Sequence, residues 1–370
     1  VPTEPVANDA LFSTFTIGAL QLPNRVAVAP MTRVSATADG VVTDRMVDYY
    51  EGFARGGFGL IITEGIYIDT DHSQGYLNQP GLTNAEQELG WSRVVERVHA
   101  AGGKIFAQLM HAGSHSQGNP YATSTLAPSP ITPRGQQLTF YRGEGPYTTP
   151  REITREEMTD VQTSFTCAAR RAVAAGFDGV ELHGANGYLL DQFLTDYLNE
   201  RSDEYGGSAE NRIRFAAEAC ASVIAEVGSE IAVGIRISQG KVSDGDHRWS
   251  GATADAVTIF ETLGRTGIDF LHTTEYQALA PAFATGSETL ADLAKQHGRV
   301  PVIVNGQLDQ PEAAREILRS GSADIIALGK AALANRDWPR RVRDGVPVAT
   351  ELRDGTLGPI ADIKDWELGD

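Results

Sequence analysis

The stretch Gly179-Val-Glu-Leu-His-Gly-Ala-Asn-Gly-Tyr-Leu-Leu-Asp-Gln-Phe-Leu194, followed by Asp203-Glu-Tyr-Gly-Gly-Ser-Ala-Glu-Asn-Arg-Ile-Arg-Phe215, decides the fold. It opens as an apolar run, Gly179 to Leu182, behind a helical pattern and the turn signal Gly176-Phe-Asp178. That combination predicts a parallel strand buried on both faces. At its end the polarity changes to His183, Asn186 and Tyr188. Two neutral hydrogen-bonding groups beside a phenol suit a site that holds a carbonyl oxygen and delivers a proton. The same groups can also satisfy the backbone of a turn, so the rest of the chain has to decide.

Seven more strand candidates flank it: Val26–Pro30, Gly59–Gly65, Lys104–His111, Ile231–Ser238, Asp269–Thr274, Pro301–Asn305 and Ala323–Gly329. Helical patterns separate them, over Thr43–Arg55, Thr83–Ala101, Thr154–Ala175, Ser208–Val227, Thr253–Leu263, Glu288–His297 and Gln310–Ser320. Thr83 with Glu86, and Thr154 with Glu157, read as helix N-caps. Eight βα units predict an α/β fold, a closed (β/α)8 TIM barrel. A doubly wound sheet is the alternative, but the first strand carries no Gly-x-Gly-x-x-Gly turn. Leu11–Asn24, with a central Gly18, reads as a hairpin that plugs one end of the barrel, and residues 1–10 as a loose arm. Residues 112–150, after the third strand, are rich in Gly and Pro and read as a cap or lid over the mouth. Within them Gln137–Tyr141 alternates like a strand of a small hairpin. The whole chain, residues 1–370, reads as one barrel domain.

Composition narrows the classes. A net charge of −17 argues against nucleic acid and anionic membranes as partners. No apolar run reaches the length of a membrane span. Val1-Pro-Thr-Glu-Pro5 lacks the basic and apolar regions of a secretory signal, so a cytoplasmic location is expected. The two cysteines, Cys167 and Cys220, sit in helical patterns and read as buried structural thiols. Two cysteines cannot supply the four thiolates that hold a typical iron–sulfur cluster.

A barrel builds its site from the C-terminal ends of its strands. Those ends supply Ala29-Pro-Met-Thr-Arg33, Thr63-Glu-Gly65, Gln108 with His111, His183 with Asn186 and Tyr188, Arg236, His272-Thr-Thr274, Val304-Asn-Gly306 and Leu328-Gly-Lys330. Asn305-Gly306 and Gly329-Lys330 fall where such barrels place a phosphate: glycines admit close backbone approach and a lysine adds charge. Arg236, inside an apolar run, needs an acceptor; an ion pair with Glu181 or Glu64 is one choice, the electron-rich edge of a reduced flavin another. Gln108 offers a donor and an acceptor to an imide edge. His111 and His115 are four apart with Gly113 between them and no helix, so no metal site is expected. No Gly-x-Ser-x-Gly elbow supports a serine hydrolase, and no lysine on the sixth strand supports a Schiff base.

The segments Leu22-Pro-Asn-Arg-Val-Ala-Val-Ala-Pro-Met-Thr-Arg33, Gly59-Leu-Ile-Ile-Thr-Glu-Gly65, Gln108-Leu-Met-His-Ala-Gly113, His183-Gly-Ala-Asn-Gly-Tyr-Leu-Leu190 and Asn199–Arg212 resemble the old yellow enzyme family of FMN-dependent NAD(P)H oxidoreductases. The resemblance runs from about Leu11 to Trp338. It implies tightly bound, non-covalent FMN, with NAD(P)H as reductant and an activated alkene as substrate. Pro30, Met31, Thr32 and Gly65 would line the flavin, Gln108 its pyrimidine edge, Arg236 its N1 and C2 carbonyl, and Asn305, Gly306, Gly329 and Lys330 its phosphate. His183 and Asn186 would grip the substrate carbonyl, and Tyr188 would protonate the α-carbon. Tyr67 and Tyr276 are the further substrate-binding candidates. The family usually carries arginine where this chain has Lys330, and one branch carries cysteine where it has Thr32. With the sequence ending near Asp370, the cysteine-cluster and dinucleotide domains of longer relatives are not expected, and an external nucleotide is the expected reductant. An ene-reductase is the expectation; an FMN dehydrogenase or oxidase, a flavin-binding carrier and a flavin-free phosphosugar lyase are the competitors. Whether the chain is a monomer or a homodimer is left open.

Overall fold

The computed structural model describes residues 9–368. Residues 1–8 of the expected loose arm lie outside them. A hairpin comes first, β1 (Phe15–Ile17) and β2 (Leu20–Leu22), turning at Gly18 with φ +55°. The barrel strands follow: β3 (Val26–Val28), β4 (Leu60–Tyr67), β5 (Lys104–Met110), then, after the short pair β6 (Leu126–Ala127) and β7 (Arg151–Glu152), β8 (Gly179–Asn186), β9 (Ala232–Lys241), β10 (Phe270–Thr274), β11 (Val302–Asn305) and β12 (Ile325–Leu328). Each pairs in parallel with the next and β12 pairs with β3, closing an eight-stranded barrel. The helices between them are α1 (Asp44–Arg55), α2 (Ala85–Ala100), α3 (Arg155–Ala175), α4 (Leu189–Leu194), α5 (Ala209–Val227), α6 (Thr253–Gly264), α7 (Leu290–Gly298), α8 (Pro311–Arg319), α9 (Lys330–Ala334) and α10 (Trp338–Arg343). None among the described residues is long and apolar enough to cross a membrane.

The barrel interior is sorted by height. At its N-terminal end Ile17 and Leu22 of the hairpin join Leu60, Ile62, Phe106, Phe270, Ile303 and Ile325 in one apolar cluster. The hairpin is therefore the plug the pattern predicts. Phe106 and Phe270 stack with centroids 5.3 Å apart. Their neighbours across the ladder are Gly179 and Gly234, where an added Cβ would come within 2.6 Å of Phe106 and 2.5 Å of Phe270. Large side chains thus fill the barrel only because glycine stands beside them. Above this layer the inward positions turn polar, and the mouth begins.

Local readings hold with three corrections. Thr154 and Glu157 form the predicted capping box. On α2 the cap is Asn84, not Thr83: its side chain accepts from the N–H groups of Glu86 and Gln87, while the Thr83 hydroxyl bonds Gln87. Gln137–Tyr141 is no strand; Thr139–Tyr141 is a 3-10 turn closed by Arg142 at φ +65°, and only an isolated bridge joins Gln136 to Pro146. Cys220 is buried, but Cys167 is exposed. On α3 the buried face runs through Val161, Phe165, Ala168 and Ala172, which turns position 167 outward.

After α10 the chain returns over one side of the mouth. Buried Arg33 holds it there. Its guanidinium bonds both carboxylate oxygens of Glu367 at 2.6 Å and the carbonyls of Ala361 and Asp362 at 3.0 and 2.8 Å. A planar fork suits that cluster of acceptors as a lysine would not.

Candidate functional site

A cavity of about 630 Å3 opens at the C-terminal ends of the strands. Its wall takes Ala29 to Arg33 from the end of β3, Gly65 from β4, Gln108 and Met110 from β5, and His183, Asn186 and Tyr188 from β8 and its turn. Arg236 comes from β9, Tyr276 follows β10, Asn305 to Asp309 follow β11, and Leu328 to Lys330 follow β12. Thus Pro30, Met31, Thr32, Gly65, Gln108, His183, Asn186, Tyr188, Arg236, Tyr276, Asn305, Gly306, Gly329 and Lys330 all meet in one place.

Tyr67 does not join them. It is fully buried outside the cavity wall, where its hydroxyl bonds the Asp39 carbonyl and the Gln87 amide at 3.1 and 2.8 Å. The backbone of Tyr67 pairs with the loop at Pro80 and Leu82, and glycines at 40 and 81 leave the slot its ring fills. The substrate-binding expectation for Tyr67 is therefore corrected. Tyr276 lies at the rim, 79 % exposed.

The turn after β8 has unusual local geometry. A bulge against β9 lies between Gly184 and Asn186, and Asn186 itself has φ +61°, a left-handed conformation that asparagine tolerates better than most. Gly187 follows at φ +93°. This kink lets Asn186 and Tyr188 both face the cavity beside His183, whose ring centroid is 4.8 Å from that of Tyr188. Behind the turn Asp191 accepts the Gly187 N–H at 2.7 Å and both its oxygens contact Lys241 Nζ, at 2.6 and 2.8 Å. Both members of this ion pair are fully buried.

The charges are set by burial. Burial, with Arg236 and His272 nearby, lowers His183 well below the usual imidazole range, so the ring is neutral at pH 7. Burial pushes the Tyr188 phenol up to about 12, although its bond to Tyr76 and the Arg236 charge oppose the shift. The two tyrosine hydroxyls are 2.5 Å apart. Tyr76 lies in the loop after β4, outside any residue pattern that periodicity could flag; its buried ring packs 4.7 Å from Tyr141 of the insertion. Arg236 makes no ion pair among the described residues. It donates to Asn305 Oδ1 at 2.9 Å and its Nε has no partner, so neither Glu181 nor Glu64 takes the role considered for it. Glu64 instead accepts the Arg33 N–H at 2.9 Å, next to Thr32.

The phosphate candidates divide by atom. The Asn305 amide is engaged inside the barrel, accepting from Arg236 and Thr274 and donating to the Ala327 carbonyl at 2.9 Å each. Lys330 is exposed and starts α9, with Gly329 as its N-cap. Gly306 has φ +143°, and a Cβ there would lie 2.2 Å from the Glu275 carbonyl oxygen. Gly306→Ala is expected to cost about 1–3 kcal/mol in thermal unfolding, since both strain and clash oppose it. A Tm equal to the parent would show that this turn relaxes freely.

Residues 112–150 contribute Leu138, Phe140 and Tyr141, and the Tyr141 hydroxyl reaches the Thr32 carbonyl at 3.2 Å. Thr350 and Leu357 of the C-terminal return also line the cavity. These lie in loops, where only a spatial neighbour and no sequence period marks a residue.

The chain is similar to known proteins in sequence and fold. The chain is 35% identical over 90% of its length to the NADH oxidase of Thermoanaerobacter brockii, of which it spans only about half, 51%. It is also 35% identical to a probable flavin mononucleotide-dependent alkene reductase of Leishmania infantum, across 92% of both chains. The solved structure of the old yellow enzyme homologue of Zymomonas mobilis superposes with a TM-score of 0.86 at 33% identity, covering 97% of this chain and 98% of that one. The model of the NADH:flavin oxidoreductase / NADH oxidase family matches residues 10–349, and with that match the chain belongs to this family, the old yellow enzyme family.

Proposed function

We propose that the chain is an FMN-dependent NAD(P)H oxidoreductase that reduces the activated C=C bond of α,β-unsaturated carbonyl compounds. The observation that carries the reading is the cavity wall itself: a neutral His183 and Asn186 beside a protonated Tyr188, facing a floor where Arg236 keeps a buried, unpartnered Nε. The volume lies within the roughly 300–1,000 Å3 range of small-molecule sites. An orphaned buried guanidinium N–H calls for an acceptor, and the pyrimidine edge of a flavin offers one.

Pro30, Met31, Thr32 and Gly65 would hold the ring system, Gln108 and Arg236 its pyrimidine edge. The backbone at Asn305-Gly306 and Gly329-Lys330, with the Lys330 charge, would hold the phosphate. Lysine keeps charge but loses the bidentate fork of an arginine. The chemistry FMN supplies when bound is hydride transfer, from NAD(P)H and then to the alkene β-carbon. His183 and Asn186 donate to the carbonyl oxygen, where negative charge grows as the β-carbon is attacked. Because burial keeps His183 uncharged, it polarises this oxygen without giving up a proton. Tyr188 delivers the proton to the α-carbon, and Tyr76 stands behind it as hydrogen-bond partner. Tyr276 touches the substrate from the rim. Residues 1–370 act as one flavin-binding unit, and 112–150 serve as its lid.

The NADH oxidase named among the relatives favours a second reading, an FMN dehydrogenase or oxidase on a biosynthetic intermediate. Anaerobic titration separates the two. The purified protein is expected to be yellow, to bleach with NADH or NADPH and to recolour with 2-cyclohexenone. Bleaching without recolouring selects the second reading, and failure to take up FMN after reconstitution sinks both. FMN at about 100 times its Kd should add about 2.7 kcal/mol of stability to the apoprotein, read as a rise in Tm.

A further inference from the structure

Two buried side chains beneath the cavity have no part in the mechanism above. Glu181 on β8 and His272 on β10 are fully buried and do not line the cavity, whereas Gln108 and Arg236, their neighbours across the ladder, do. Glu181 accepts from Gln108 Nε2 at 2.8 Å and meets His272 Nδ1 at 2.7 Å. Below them the barrel is apolar. A polar pair at this depth is costly unless its bonds are satisfied.

Resting on the FMN reading, we propose that Glu181 is a positioning residue for the cofactor: with His272 it fixes which end of the Gln108 amide faces the ring, and it lowers the reduction potential of bound FMN.

The first part follows from donor and acceptor types. A carboxylate oxygen only accepts. The amide group that Gln108 turns toward Glu181 is therefore its NH2, which leaves Oε1 to meet an imide N–H on the cavity side. Burial lowers the His272 imidazole despite Glu181, so the ring is neutral at pH 7 and its Nδ1–H is the donor that anchors the carboxylate. His272 Nε2 has no partner, so nothing else fixes the ring by hydrogen bonding.

The second part follows from charge. Burial lowers Arg236 to about 10, and Glu181 is the foremost group acting against that. The carboxylate is thus felt at the edge of the cavity where Arg236 lies. Reduction of a flavin adds negative charge at that edge, and a fixed negative charge beneath it opposes the change.

Glu181→Gln keeps the shape and removes the charge. The spectroelectrochemical midpoint of FMN on the holoprotein should rise, with the equilibrium constant for two-electron reduction growing about tenfold, near 30 mV. His272→Leu keeps the carboxylate and removes its anchor; the potential should stay within about twofold in that constant, while FMN binds at least about fivefold more weakly by fluorescence titration of the apoprotein. A Glu181→Gln midpoint equal to the parent overturns the proposal. Should Glu181→Gln fail to fold, unchanged FMN affinity in His272→Leu overturns it. A parent protein that takes up no FMN overturns the cofactor reading itself, an outcome distinct from either.

Discussion

Tyr188→Phe is expected to slow reoxidation of the reduced protein by an enone about 10²–10⁴-fold, the range of a lost general acid. Its reduction by NAD(P)H should stay within a few-fold of the parent. The asymmetry is the point: the phenol acts on the α-carbon, and no carbon is protonated when the nucleotide delivers its hydride. Rapid mixing of each half-reaction separates them. The pH profile adds an independent check. With the Tyr188 phenol pushed up to about 12 by burial, the donor is protonated through neutral and mildly alkaline pH and is lost only as pH approaches that value. With His183 held well below its usual range, the carbonyl grip does not titrate near neutral pH. The enone rate should therefore be flat from about pH 6 to 9, since neither group changes charge there and Arg236, lowered by burial to about 10, keeps its charge. A limb near about pH 6.5, the ordinary imidazole value, would mean that a protonated His183, not a neutral one, holds the oxygen. Equal loss in both half-reactions would mean that Tyr188 shapes the cavity rather than supplying a proton.

The barrel is legible in the sequence because its strands are short apolar runs bounded by turn signals, and a closed parallel sheet has no exposed face to blur that pattern. The strand ends name the pocket because the architecture itself converges them. Tyr67 misleads for the same reason that it attracts notice: it follows Gly65 on β4, yet loop 78–82 pairs with that part of the strand and takes the ring away from the mouth. The sequence carries no sign of that pairing. Tyr76, Tyr141 and Leu357 are invisible to it because loops bring them in across long separations. Arg236 stands out correctly as a buried charge, but its partner, Asn305, belongs to a strand two places along the sheet. Periodicity tells which face a residue is on; it does not say which neighbour it meets.

The Asp191–Lys241 pair leaves no mark in the sequence pattern, and it should carry the largest stability effect outside the cavity. Lys241→Met is expected to destabilise the protein by about 3–5 kcal/mol near pH 8, the cost of leaving a buried carboxylate unpaired. In the variant only the Gly187 N–H would still bond Asp191. Burial already raises the Asp191 carboxyl in the parent, with Lys241 opposing, so removing the lysine raises it further. The sign of the pH dependence follows. A carboxyl whose folded pKa exceeds its unfolded one binds more protons in the native state, so stability falls as pH rises between the two values. The Tm gap between parent and variant should widen from about pH 4 upward, where an unfolded aspartate ionises, and be smallest in acid. Asp191→Asn combined with Lys241→Met removes both charges and should regain most of the loss, a coupling that a double-mutant cycle measures. The same variant tests function, because Asp191 pins the turn that holds Asn186 and Tyr188. Lys241→Met should impair turnover of the enone more than reduction by NAD(P)H, since that turn faces the substrate while the cofactor residues sit on other strands. A Lys241→Met protein within about 1 kcal/mol of the parent at pH 8 would mean that water or a rearranged donor reaches Asp191. The turn would then be held by its backbone alone.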